Sequence, residues 1–321
     1  MPRTPRPSHA LTIAVAVAAT GLLASGCGAV GDEGADAELS VAAGFYPLAW
    51  VTEQVAGEHA EVVTLSRPGQ DAHDAEITIG ARATLAEADL VVLSSGFQPA
   101  VDAAAEDAQG QVLDAAEVLE FREVTDHSDH DHGDEEHGDE ESDDGHDHGD
   151  TDPHFWLDPL LMAQLAEAVS AELGELAPDR ASDFAANTDA LRAELEQLDA
   201  DYTETLARCE RTTVVVSHDA FGYLSRYGLE FEPIAGLSPG AEPTPADLAR
   251  LQRLIEDEGV TTVFNEVLAS TKLTETLARD AGVETAVLDP VEGVTGDADA
   301  DTDYLSLMRD NLSALSQANG C

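Results

Sequence analysis

The sequence predicts an α/β protein: two Rossmann-like lobes of parallel-sheet α/β units joined by one long rigid helix. Short apolar runs alternate with helical patterns over 39–113 and again over 212–288, the order expected when parallel strands are linked by helical crossovers. Between these regions, 179–206 continues for 28 residues without glycine or proline, and its Phe184, Leu191, Leu195, Leu198, Tyr202 and Leu206 fall three, four or seven apart. As a helix it would be about 42 Å long at 1.5 Å per residue, enough to join two lobes. With 43% hydrophobic residues in 321, the chain can bury one large core or two ordinary ones.

In order, 39–43 reads as a strand, the loop Gly44-Phe45-Tyr46-Pro47 leads into a helix through Val55, and 62–65 is a second strand. The turn Ser66-Arg67-Pro68-Gly69-Gln70 delivers Asp71-Ala72-His73-Asp74 just beyond that strand. A helical pattern over 75–88 precedes the continuous apolar strand 90–93; a further helix and a run at Val112 and Leu113 follow. Residues 126–150 then hold six histidines, thirteen Asp or Glu and no apolar side chain, so nothing in them can form a core. Asp152-Pro153-His154-Phe155-Trp156-Leu157-Asp158-Pro159 reverses this composition and places one imidazole in a rigid apolar motif. A helix over 160–176 stops at Pro178. The second region reads as strand 212–216 ending in Ser217-His218, helix 219–227, strand 229–234, helix 244–258 capped by Thr244, strand 260–264 ending at Asn265-Glu266, helix 271–281, strand 284–288 ending at Asp289-Pro290, and helix 301–316. The expected organisation is 39–178, the long helix over 179–208, and 209–321.

The formal charge of −50 argues against nucleic acid as a partner, and the chain stays strongly acidic without 126–150. Arg3 and Arg6, thirteen apolar-rich residues over 11–23, then Ala24-Ser25-Gly26-Cys27 read as an export signal over 1–27. Small residues directly before Cys27 resemble a bacterial lipobox, which implies lipidation of that cysteine and a membrane anchor; Ala24 stands where Leu is commonest, and plain secretion is the alternative. Residues 28–38 would be a tether. Outside the signal only Cys209 and Cys321 remain, and in an oxidising compartment a single pairing is open to them, against two unpaired thiols.

Outside the tract and the signal, four histidines remain: His59, His73, His154 and His218. His59, in a polar segment, reads as solvated. Residues just past strand ends line the ligand crevice of parallel α/β sheets. His73, His154 and His218 with Asp289 would complete a tetrahedral zinc shell, two ligands from each region. Taken singly, each of these is an ordinary structural histidine or turn residue; their coincidence beside a His-rich tract gives them weight. His127, His130, His132, His137, His146 and His148 would collect metal weakly; a solvated acidic linker is the plainer reading of the same residues.

Phe45-Tyr46-Pro47-Leu48, the Gly-x-x-x-His73-Asp turn, the acidic His-rich stretch, Asp-Pro-His154-Phe-Trp-Leu-Asp-Pro, Ser-His218-Asp-Ala-Phe-Gly-Tyr-Leu, Gly236-Leu-Ser-Pro with Glu242-Pro, Phe264-x-Glu and Leu288-Asp289-Pro recur in an order that resembles the zinc-binding ABC-transporter solute-binding proteins, the ZnuA-like group of cluster A-I metal-binding lipoproteins. The resemblance runs from about residue 39 to the C-terminus. It implies metal in the cleft between two α/β lobes, ligands at His73, His154, His218 and Asp289, and delivery of Zn(II), as the transported ligand, to an ABC permease outside the cytoplasm. Manganese-binding relatives usually carry Glu where this chain has His218, and a third imidazole favours zinc. Ala72 departs from the Pro or acid often found before the first histidine, removing an auxiliary ligand for which Asp71 is the available substitute. Binding without turnover should release protons and fail as imidazoles protonate below about pH 6. The tract would pass zinc inward or dock a metallochaperone. The competing readings are a manganese or iron receptor, an adhesin on the same scaffold, and a zinc hydrolase with Glu266 or Asp289 as base, for which no His-Glu-x-x-His pair is present.

Overall fold

The computed structural model describes residues 39–124, 151–295 and 302–321. The export run with Cys27, the tether over 28–38 and the histidines of 126–150 lie outside these residues. Two four-stranded parallel sheets form, as the alternation predicts. The first contains β1 (Leu39–Ala43), β2 (Ala60–Thr64), β3 (Leu90–Leu93) and β4 (Gln111–Asp114) in the order β2-β1-β3-β4. The second contains β5 (Thr213–Val216), β6 (Glu230–Pro233), β7 (Thr262–Asn265) and β8 (Glu284–Val287) in the order β6-β5-β7-β8. In both, the chain reverses its direction of travel across the sheet beside the first strand, which opens a crevice at the strand ends.

The central strands are mostly apolar, β3 (LVVL) entirely so, because both of their faces are covered. Val41, Ala43, Leu90 and Val92 face one core while Ala42, Val91 and Leu93 face another, the period-two alternation of a pleated strand. Val214 and Val216 join the same core as Val41, whereas Val215 turns to a third. The two halves therefore share one central core, and each keeps a smaller one on its outer side.

That central core is built on α1 (Tyr46–Ala56), α5 (Pro159–Leu176), α6 (Ala181–Leu206) and α9 (Tyr304–Asn319). α6 is the long helix the sequence predicts, and Phe184, Leu191, Leu195, Leu198, Tyr202 and Leu206 are its buried side chains together with Thr188. Tyr202 donates a hydrogen bond to Met308 O on α9 at 2.7 Å, tying the long helix to the last one. Cys209 and Cys321 form a disulfide just beyond the ends of these two helices.

The structure moves several predicted boundaries for local reasons. The helix expected over 75–88 is α2 (Ile79–Glu87), because Thr78 accepts from Ala81 N and caps it; 71–78 is loop. The helix expected over 219–227 is a 3-10 stretch, Phe221–Tyr227, ended by Gly228 in the left-handed region. α3 (Pro99–Ala105), α7 (Pro245–Glu258) and α8 (Lys272–Ala281) match their patterns, α7 with a capping box between Thr244 and Asp247. A four-residue helix, α4 (Ala115–Val118), was too short to show in the periodicity. No described helix is long and apolar enough to cross a membrane.

Candidate metal centre

Each half contributes two side chains to one buried cluster. His73 comes from the loop after β2, where Asp71 accepts its backbone N–H at 2.9 Å and Phe97 packs edge-on to its ring. His154 comes from the motif before α5, whose residues from Asp152 to Leu157 are all buried. His218 lies two residues past β5, and Glu292 five residues past β8. One ligand atom from each of His73, His154, His218 and Glu292 can be chosen so that all four lie within 4.8 Å of one another.

The imidazoles present Nε2 inward. Nε2 of His73 is 3.3 Å from Nε2 of His154, and Glu292 Oε1 lies 3.3 Å from His73 Nε2 and 3.6 Å from those of His154 and His218. The outward nitrogens of two rings are held by carboxylates: His154 Nδ1 by Asp152 Oδ1 at 2.8 Å, and His218 Nδ1 by Glu266 Oε1 at 2.6 Å. A carboxylate on the outer nitrogen fixes the tautomer that leaves a lone pair on Nε2, the form that ligates a metal. Asp152 is in turn gripped by Arg122 at 2.7 Å, and Glu266 by the Ser217 hydroxyl. His218 Nε2 and Glu292 Oε1 are buried without a hydrogen-bond partner among the described residues, and they lie 3.6 Å apart within the cluster. Three nitrogens and one carboxylate oxygen without thiolate suit zinc.

Burial, with a smaller push from His218, pulls the His154 imidazole down, and the Asp152 bond only partly offsets it. His218 is also opposed by burial, but its hydrogen bond to Glu266 and the Glu292 carboxylate 3.6 Å from its Nε2 outweigh that and push it up to about 10. Glu292 is held far below the usual carboxylate range: burial opposes ionisation, and His218 and His73 more than compensate.

The fourth member of the cluster among the described residues is Glu292, where the sequence expectation had Asp289. Asp289 is not among the four clustered residues. Its Oδ1 accepts from Val291 N at 2.8 Å, so the carboxylate caps its own turn, and burial pushes it up to about 6. Asp289, Glu292, Asp71 and Glu266 instead line a small acidic cavity beside the cluster. Asp71, the proposed substitute for the acid missing at Ala72, caps His73 N and is raised by burial and then by Glu292. His59, expected to be solvated, is half-buried, its Nε2 3.3 Å from Asp183 at the start of α6. Glu292 was legible as the acid before a glycine in Asp289-Pro-Val-Glu292-Gly, but a strand-end rule favoured Asp289. Asp152 and Arg122 carried no signal as supports for His154.

The family model "Zinc-uptake complex component A periplasmic", ZnuA, matches residues 41–318. The zinc-binding lipoprotein AdcA of Streptococcus pneumoniae is 35% identical over 291 residues, 88% of this chain; the chain spans only 56% of that relative's length. The high-affinity zinc uptake system protein ZnuA of Bacillus subtilis is 34% identical over 309 residues, 93% of this chain and 94% of its own. Among solved structures, Zn(II)-bound AdcA of S. pneumoniae aligns with TM-score 0.72 at 31% identity, over 88% of this chain and 58% of that one. The laminin-binding protein Lmb of Streptococcus agalactiae, described as having adhesin and metal transporting activity, aligns with TM-score 0.74 at 27% identity over 87% of this chain and 99% of its own. On the family match and the relatives together, this chain belongs to the ZnuA family of zinc-uptake solute-binding proteins.

Proposed function

We propose that the protein is an extracytoplasmic receptor that captures Zn(II) between its two α/β halves and delivers it to an ABC permease. The observation carrying this reading is the buried group of His73, His154, His218 and Glu292, whose ligand atoms converge from four separate loops. On this reading the three imidazoles and Glu292 replace zinc's water shell, and Asp152 and Glu266 hold His154 and His218 in the ligating tautomer. The acidic cavity beside the cluster, with Asp71 and Glu266 in its lining, gives a divalent cation a favourable approach. The histidines of 126–150 gather zinc weakly for this site, a lipid on Cys27 holds the receptor at the membrane, and 1–27 and 28–38 serve as signal and tether.

The test is zinc binding by competition with a chelator of known affinity, on the full chain and on a form lacking 126–150. One tight site is expected to survive the deletion. Loss of tight binding with the tract would move the site into the tract itself. Competition by manganese for the same site separates the two metals, and hydrolysis assays on the metal-free and zinc forms test for turnover. Adhesion, stated for Lmb, is tested by binding of the zinc form to immobilised laminin.

A further inference from the structure

The loop that carries Glu292 is held in a conformation its sequence disfavours. Val291 has φ 59°, and among the described residues it is the only non-glycine with positive φ. Valine is poorly suited to the left-handed region, because its branched side chain crowds the backbone there. Its side chain is also fully buried. Restraints from three places bracket it. Asp289 Oδ1 accepts the Val291 N–H at 2.8 Å. Asn311, on α9 and 2% exposed, grips the Asp289 backbone on both sides, accepting its N–H at 2.8 Å and donating to its carbonyl at 2.7 Å. The Trp156 indole, two residues past His154, donates to Pro290 O at 2.7 Å.

We propose that Asp289 and Asn311 are positioning residues for Glu292: they hold Val291 left-handed so that the next side chain enters the cluster of imidazoles instead of leaving along the strand direction. The assignment rests on the zinc-receptor reading and deepens it. It gives Asp289 a role that needs one acceptor oxygen, in contrast to a ligand, which needs the carboxylate. The pairing of a restrained turn with a ligand at its next residue is the arrangement expected of a preorganised site, in which the geometry exists before the ion arrives.

The experiment compares Asp289→Asn, Asp289→Ala, Asn311→Ala and Glu292→Gln in the full chain. Zinc affinity is measured by chelator competition and the coordination sphere by the visible spectrum of the cobalt(II)-substituted protein. Asparagine keeps the acceptor at Val291 N, so Asp289→Asn should bind zinc within roughly threefold of the parent with an unchanged cobalt spectrum. Asp289→Ala and Asn311→Ala should weaken binding by roughly 10- to 100-fold and shift the cobalt spectrum towards that of Glu292→Gln. Adding Val291→Gly to Asp289→Ala should recover part of the loss, since glycine adopts φ near 60° without restraint. Asp289→Asn weakening binding as much as Asp289→Ala would overturn the proposal and restore Asp289 as a ligand; full affinity in Asp289→Ala would also overturn it. If an alanine variant does not fold, Asp289→Asn decides alone: retained affinity with an unchanged cobalt spectrum supports the cap, and lost affinity defeats it. A parent protein that fails to bind zinc tightly would sink the receptor reading itself, an outcome distinct from either of these.

Discussion

Glu292 is held ionised in the metal-free protein, and an isolated buried carboxylate would be too costly, so one of the surrounding imidazoles has to carry the compensating proton. His218 resolves this by keeping a proton, pushed up to about 10 by Glu266 and Glu292 against the opposing effect of burial. Zinc must therefore expel that proton, and competition already operates at neutral pH and not only below pH 6. Calorimetry at pH 7.5 in buffers of different ionisation enthalpy should show about one proton released per zinc, and apparent affinity should rise about tenfold per pH unit between pH 7 and 9. The metal-free fold should respond in the opposite sense. A group raised from 6.5 to about 10 stabilises fully below its ordinary value and loses that contribution as pH climbs through about 10, so the melting temperature without zinc should fall from pH 7 to pH 10. Glu292→Gln removes the only carboxylate in the cluster and should weaken zinc binding by roughly a hundredfold or more. A loss under threefold would mean that Glu292 is not a ligand.

At the scale of elements, α6 and the Asp152–Leu157 motif do different work. α6 presents a stripe of large side chains to the shared core, and Leu198 is fully buried in it. Leu198→Ala should cost about 2–5 kcal/mol in chemical denaturation without changing zinc stoichiometry. The disulfide closes a separation of 112 residues, and removing it with Cys209→Ser and Cys321→Ser should cost about 2–5 kcal/mol. The motif before α5 was legible as rigid because its apolar residues flank a single imidazole. What it touches was not legible. Trp156 bonds to Pro290 O and receives a bond at its own carbonyl from the Tyr304 hydroxyl at 2.6 Å, so the segment that supplies His154 is bolted to the one that supplies Glu292. α2 shows the converse limit: its pattern over 75–88 was helical, but a side-chain cap at Thr78 set the start, and caps are local hydrogen bonds that periodicity does not record.

For the whole molecule, one continuous core across both halves resists wide opening, since separating them would expose helices α5, α6 and α9 together. Small-angle scattering of the chain lacking 126–150 should superimpose with and without zinc; a clear fall in radius of gyration on binding would show hinge closure instead. Zinc at a thousand times its dissociation constant should stabilise the fold by about 4 kcal/mol, seen as a raised melting temperature that a chelator reverses.

The sequence by itself determined the two parallel-sheet halves, the long helix between them, the pairing open to the last two cysteines and three of the four clustered residues. Those features depend on alternation, periodicity and scarcity, which are properties of residues read in order. Only the tertiary structure put Glu292, and not Asp289, in the cluster with the imidazoles. The two acids are three residues apart on one loop, and which of them faces the imidazoles depends on a backbone reversal at Val291. That reversal is fixed by Asn311, 22 residues away from Asp289, and by Trp156, 134 residues from Pro290. Contacts across such distances exist only once the chain has folded.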